Sequence, residues 1–101
     1  MKSKVYFFNM RAAKPSESIS KKVAKLFDKA VLKEIVTPDK LTAIKIHFGE
    51  KGNNAFINPI YARQIVDKIK ENGGKPFLTD SNTLYKGSRA NGVDHLVTAI
   101  E

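Results

Sequence analysis

A chain of 101 residues without a cysteine is at most one domain, and it can hold neither a disulfide framework nor a thiolate-bound metal or iron–sulfur centre. Apolar content of 42% suits a globular core, and no apolar run exceeds about five residues, so neither a membrane span nor a signal peptide is expected and the compartment expected is the cytoplasm. The net charge of +8 is uneven: residues 1–33 hold nine Lys/Arg against Glu17 and Asp28, while residues 34–101 hold nine basic and eight acidic side chains.

Lys4 to Met10 is short, aromatic and apolar on both sides, which predicts a buried strand. From Ser18 to Val36 the residues Ile19, Val23, Leu26, Phe27, Ala30 and Val31 recur at helical spacing, with Ser16 or Ser18 as the N-cap. Lysines 21, 22, 25, 29 and 33 fall on the opposite face. Thr37-Pro38-Asp39 makes a turn. Leu41 to Phe48 alternates as a second strand, with Ile44, Ile46 and Phe48 on one face and Ala43, Lys45 and His47 on the other. A lysine and a histidine on one strand face are costly unless they reach solvent, a partner or a site.

Asn58 suits an N-cap and Pro59 the first position of a helix whose stripe is Ile60, Tyr61, Ile65, Val66 and Ile69. Gly73-Gly74 closes it, and Pro76 to Thr79 reads as a third strand. Asp80 to Ser88 is polar loop, and Val93, Leu96, Val97 and Ile100 indicate a last helix starting between Arg89 and Gly92. The order βαβαβα predicts a single α/β domain over residues 1–101, a three-layer unit with a small, mainly parallel sheet and right-handed crossovers. Three parallel strands leave two open edges, and the last helix runs into Glu101 without a C-cap signal. The expectation is part of a larger domain, its open edge covered by further chain or a homodimer partner.

Ligands of open α/β sheets bind beyond the carboxyl ends of the strands. Loops 47–57 and 80–89 both follow strands and so should share that end. Gly49, Glu50, Lys51, Gly52 and Asn53 offer backbone N–H groups, a cation and an amide to an anion, beside the N-terminus of the following helix. Neither a Walker loop nor a dinucleotide fingerprint is present. His47, Glu50 and Asp80 are candidate metal ligands or proton carriers, although His-x-x-Glu is not a specific metal spacing. Asp80, Ser81, Asn82 and Thr83 form a polar cluster that can equally make Asx and Ser/Thr turns. Tyr85, Lys86 and Arg89 follow, and Arg89 has the fork geometry that carboxylates and phosphates need. His95 is read as a helix-surface or packing residue. No Gly-x-Ser-x-Gly elbow supports a hydrolase.

The segment Ala43-Ile44-Lys45-Ile46-His47-Phe48-Gly49-Glu50-Lys51-Gly52-Asn53, with Gly73 to Tyr85 and Val93-Asp94-His95-Leu96, resembles an uncharacterised bacterial and archaeal domain of unknown function commonly joined to a ferredoxin-like domain. The resemblance covers most of the chain, and the first helix matches only in pattern. It implies an N-terminal part of a longer iron–sulfur-cluster protein, with a 4Fe–4S cluster in the remainder, since the 101 residues contain no cysteine.

Three readings follow. The first is a ligand-binding lobe of a cytoplasmic iron–sulfur-associated protein, with part of an oxidoreductase as the activity it would serve. Its ligand would be a small anion or a metal held by Lys45, His47, Gly49, Glu50, Lys51, Gly52, Asn53, Asp80, Asn82, Tyr85 and Arg89. The second is a nucleic-acid or polyanion module using the basic first helix, although its aromatics fall in apolar patterns rather than among the lysines. The third is a structural or dimerising domain that pairs through an open strand edge.

Overall fold

A computed structural model describes residues 1–100. Three helices, α1 (Ile19–Lys29), α2 (Pro59–Glu71) and α3 (Gly92–Ile100), accompany two strands, β1 (Leu41–Lys45) and β2 (Lys75–Thr79). The strands pair in parallel: Lys75 N–H donates to Lys40 O and Ile46 N–H to Thr79 O, so residue numbers rise together along both. The α/β class and parallel sense match the sequence pattern. The sheet has two strands where three were expected, because Lys4–Met10 makes no ladder. Its Val5, Phe7 and Met10 are exposed, and β-propensity without a pairing neighbour does not make a strand. The chain forms two units, Met1–Thr42 with Pro59–Phe77 and Ala43–Asn58 with Leu78–Glu101.

The first unit is organised by apolar burial. Its buried hydrophobic residues are Phe27, Val36, Ala62 and Ile69. Ser18 caps α1, its Oγ accepting from Lys21 N–H at 3.4 Å. The helix is shorter than its periodicity suggested: Val31 takes φ 57, a left-handed conformation unusual for a β-branched residue, and a 3-10 turn follows at Leu32–Ile35. Beyond that break Val36 is buried. On α2 the inward residues are Ala62 and Ile69, whereas Ile60, expected in the stripe, is exposed. Lys68 Nζ donates to Asp28 Oδ2 at 2.8 Å, linking α2 to α1.

Gly73 and Gly74 end α2 as anticipated. Gly73 has φ +82, and Gly74 N–H reaches back to Ile69 O. A Cβ on Gly74 would lie 2.7 Å from Val36 Cγ1 and 2.8 Å from Ile69 Cγ2, so only glycine lets the chain pass this close to the core. Lys22, expected on the solvated basic face, turns its ammonium to Asn9 O and Oδ1 and to Arg11 O. It ties the N-terminal segment to α1.

In the second unit the start of α3 is fixed by Asn91. Its Oδ1 accepts from the N–H groups of Val93 and Asp94, which satisfies two of the orphan donors at the helix start. The expected run of this helix into Glu101 lies outside the described residues. Among the described residues no helix is long and apolar enough to cross a membrane.

Candidate functional site

Every side chain of the site belongs to the second unit. β1 ends at Lys45, and the alternation continues beyond it, so Ile46 and Phe48 are half-buried while Lys45 and His47 are exposed. Solvent and partners thus resolve the cost of placing a lysine and a histidine on one face. Lys45 Nζ lies 3.3 Å from Asp80 Oδ1, and His47 Nδ1 accepts from Gly49 N–H at 2.9 Å.

Gly49 has φ +103, and a Cβ there would stand 3.0 Å from the Phe56 ring. This backbone turn presents Glu50 to Arg89. Glu50 Oε1 accepts from Arg89 Nη2 at 2.9 Å and from Tyr85 Oη at 2.7 Å, and Tyr85 Oη in turn accepts from Arg89 Nη2 at 3.0 Å. The Tyr85 hydroxyl and the Arg89 guanidinium hold the Glu50 carboxyl below its ordinary pKa. Arg89 Nη1 also stands 3.0 Å from His47 Nε2. The Arg89 side chain is only 8% exposed. Its terminal nitrogens are engaged within the protein, so it clamps loop 47–57 to loop 80–89 and is not an open anion fork.

Asp80 is the second centre. Its side chain is 5% exposed. Burial alone would raise its pKa, but the Ser81 N–H at 2.8 Å and the Lys45 ammonium outweigh it and hold the carboxyl below its ordinary value. Oδ2 has no hydrogen-bond partner. Arg89 Nη1 stands 3.8 Å from it and His95 Nε2 3.5 Å. His95, on α3, is itself buried and meets Asn82 Oδ1 through Nδ1 at 3.1 Å and the Phe48 ring edge-on at 5.6 Å. Its Nε2 is also without a hydrogen-bond partner. A cleft of about 360 Å³ opens here, lined by the apolar Phe48, Leu78 and Leu96 and the polar Asp80, Asn82 and His95.

The structure therefore brings together Lys45, His47, Glu50, Asp80, Asn82, Tyr85 and Arg89. Gly49 shapes the approach. Gly52 and Asn53 belong to a local turn, in which Asn53 N–H donates to Glu50 O and Asn53 Oδ1 accepts from Ala55 N–H. Lys51 lies in the same turn. Among the described residues no three His, Asp or Glu side chains are grouped to hold a metal ion. The guanidinium of Arg89 lies among His47, Glu50 and Asp80, the residues expected as ligands. Reading His95 from sequence as helix surface or packing left its burial open and missed its place in the lining of the cleft. Thr98 was missed altogether: its Oγ1 donates to Ser88 O and Asp94 O, joining loop 80–89 to α3. Sequence offered a signal only for His95, inside the segment Val93-Asp94-His95-Leu96.

A family model described as a domain of unknown function, DUF362, matches residues 42–101. That span includes both loops, α2, β2 and α3. No curated protein and no solved structure matches the chain.

Proposed function

The chain belongs to the DUF362 family, a domain of unknown function, and from that premise we propose that it is a small-molecule-binding lobe whose ligand occupies the cleft over Asp80 and His95. The observation that carries this reading is a cleft lined by the apolar side chains of Phe48, Leu78 and Leu96 together with Asp80, Asn82 and His95, where Asp80 Oδ2 and His95 Nε2 are buried without a hydrogen-bond partner. Buried polar groups are nearly always hydrogen-bonded, and sites for small ligands combine an apolar wall with a few convergent polar groups. The Glu50–Arg89–Tyr85 cluster serves as scaffold: it fixes both loops so that Asp80 is presented rigidly.

The resemblance to proteins that carry ferredoxin-like domains supports a wider proposal, that this lobe works beside an iron–sulfur centre. Without cysteine these 101 residues offer such a centre no thiolate, so it would be held by other parts of the protein. The polyanion reading has less support. Lys22 spends its charge on Asn9 and Arg11, leaving Lys21, Lys25 and Lys29 as the exposed lysines of α1.

A metabolite library screened by thermal shift tests the binding reading. A true ligand stabilises the wild-type chain, and the shift disappears in Asp80→Ala and His95→Ala variants that keep the wild-type circular dichroism. Lys25→Glu, in the first unit, leaves it intact. A hit whose shift survives both cleft substitutions would remove the cleft from the account.

A further inference from the structure

The last helix, α3, buries its polar residues and exposes its apolar ones. His95 and Thr98 face inward, while Val93, Leu96, Val97 and Ile100 are 73, 63, 45 and 86% exposed. At about 100° per residue those four share one arc of about 100°, with His95 and Thr98 on the opposite side. This orientation is fixed by hydrogen bonds. His95 Nδ1 meets Asn82 Oδ1 and Thr98 Oγ1 donates to Ser88 O, so rolling the apolar stripe inward would break both links to loop 80–89. Among the described residues the buried hydrophobic ones all belong to the first unit, so α3 has no buried apolar core beside it in its own unit. Contiguous apolar surface of this kind marks an interaction face.

Charge decides which partner fits. The unit that carries α3 holds Lys45, Lys51, Lys86 and Arg89 against Glu50, Asp80, Asp94 and Glu101, so it is neutral and the chain's whole +8 falls on the other unit. Within α3 the acidic residue is Asp94, in the first turn, and no Lys or Arg accompanies it. A helix lying on a membrane surface needs basic residues on its polar face, and α3 has none. A polyanion would find no cation there. An uncharged apolar stripe complements itself, which is the condition for an isologous two-fold contact. The neutrality of this unit lets two copies meet through it without the repulsion between like-charged surfaces. The spacing i, i+3, i+4, i+7 is also that of helices packing side by side.

We propose that α3 is the contact helix of a homodimer: Val93, Leu96, Val97 and Ile100 of one copy pack against the same stripe of a second copy across a two-fold axis. This contact differs from pairing through an open strand edge, which would use backbone groups of the sheet. Four side chains from each copy make a small interface, so the dimer is of the weak, concentration-dependent class.

Light scattering on the full chain from micromolar to millimolar concentration tests the proposal, and the mass should rise from monomer to dimer. On dilution of the ¹⁵N-labelled chain, the amides that shift should be those of α3. Val97→Glu and Ile100→Glu place a charge in the stripe at exposed positions that do not line the cleft. Each should keep the wild-type circular dichroism and weaken dimerisation at least about tenfold. Val5→Glu, at an exposed apolar position of the first unit, should leave dimerisation unchanged. A wild-type chain that stays monomeric to millimolar concentration would overturn the second copy as the occupant of this face. A dimer that survives both α3 substitutions, or one that Val5→Glu disrupts, would overturn α3 as the contact.

Discussion

The first unit buries Phe27, Val36, Ala62 and Ile69; the second buries Arg89, His95 and Thr98, with the Asp80 side chain nearly as enclosed. The difference separates two jobs. Apolar burial is non-directional and scales with area, so it stabilises without demanding particular geometry. Polar burial contributes little net free energy per hydrogen bond, but leaving a partner out is costly, so it fixes distances and orientations. One unit is built for stability. The other is built to hold side chains in place, and that is where the cleft lies.

The comparison can be broken most forcefully in the apolar unit. Phe27→Ala should cost about 3–5 kcal/mol, the usual range for deleting a buried aromatic ring. With four buried apolar residues to draw on, α1 and α2 should lose their helical signal together in a thermal melt followed by circular dichroism. If α1 and α2 melt separately, Phe27 does not organise a common core.

A smaller effect sharpens the polar side. Asn91→Ala removes the acceptor for Val93 and Asp94 N–H and should cost about 1 kcal/mol. The loss should appear as faster amide exchange confined to the first turn of α3. An Asn91→Ser variant should restore most of it, and failure of that rescue would argue against a capping role.

The two units should also part company in acid. Both Glu50 and Asp80 have carboxyls held below their ordinary values, so their contribution to stability is complete above the unfolded pKa of about 4 and fades as pH drops through the lower folded values. Amides of loops 47–57 and 80–89 should therefore lose protection below about pH 4 while those around Phe27 and Ile69 persist. Simultaneous loss in both regions would show that the carboxylates do not define a separate acid-sensitive unit.

Much of the framework was legible in the sequence because periodicity reports non-directional burial. The helix around Phe27, the Pro59 start, the Gly73-Gly74 stop and the alternation through Lys45 and His47 all follow from local spacing and cap chemistry. Lys4–Met10 misled because strand propensity is realised only when a neighbouring edge accepts the ladder. Ile60 misled because one apolar residue at helical spacing does not reveal which face packs.

The site was legible as a location and not as a set of pairings. Two polar loops after two strands pointed to the neighbourhood of the cleft. Nothing local to Arg89 says that Glu50, 39 residues earlier, will take its guanidinium. The anion fork read from Arg89 became a clamp for that reason. His95 was read as helix surface or packing, and its place depends on Asn82 and Asp80, which only the folded chain brings to it.

The central claim is that a polar cluster around Arg89 organises the cleft-bearing unit without contributing to the apolar one. Hydrogen exchange on Arg89→Ala tests it most directly. The substitution leaves Glu50 with Tyr85 alone and removes the guanidinium that stands 3.8 Å from Asp80 Oδ2. The account predicts exchange faster by about tenfold or more in loops 47–57 and 80–89, with amides of α1 and α2 at wild-type rates. Uniform acceleration across the chain, or no change in the two loops, would contradict it.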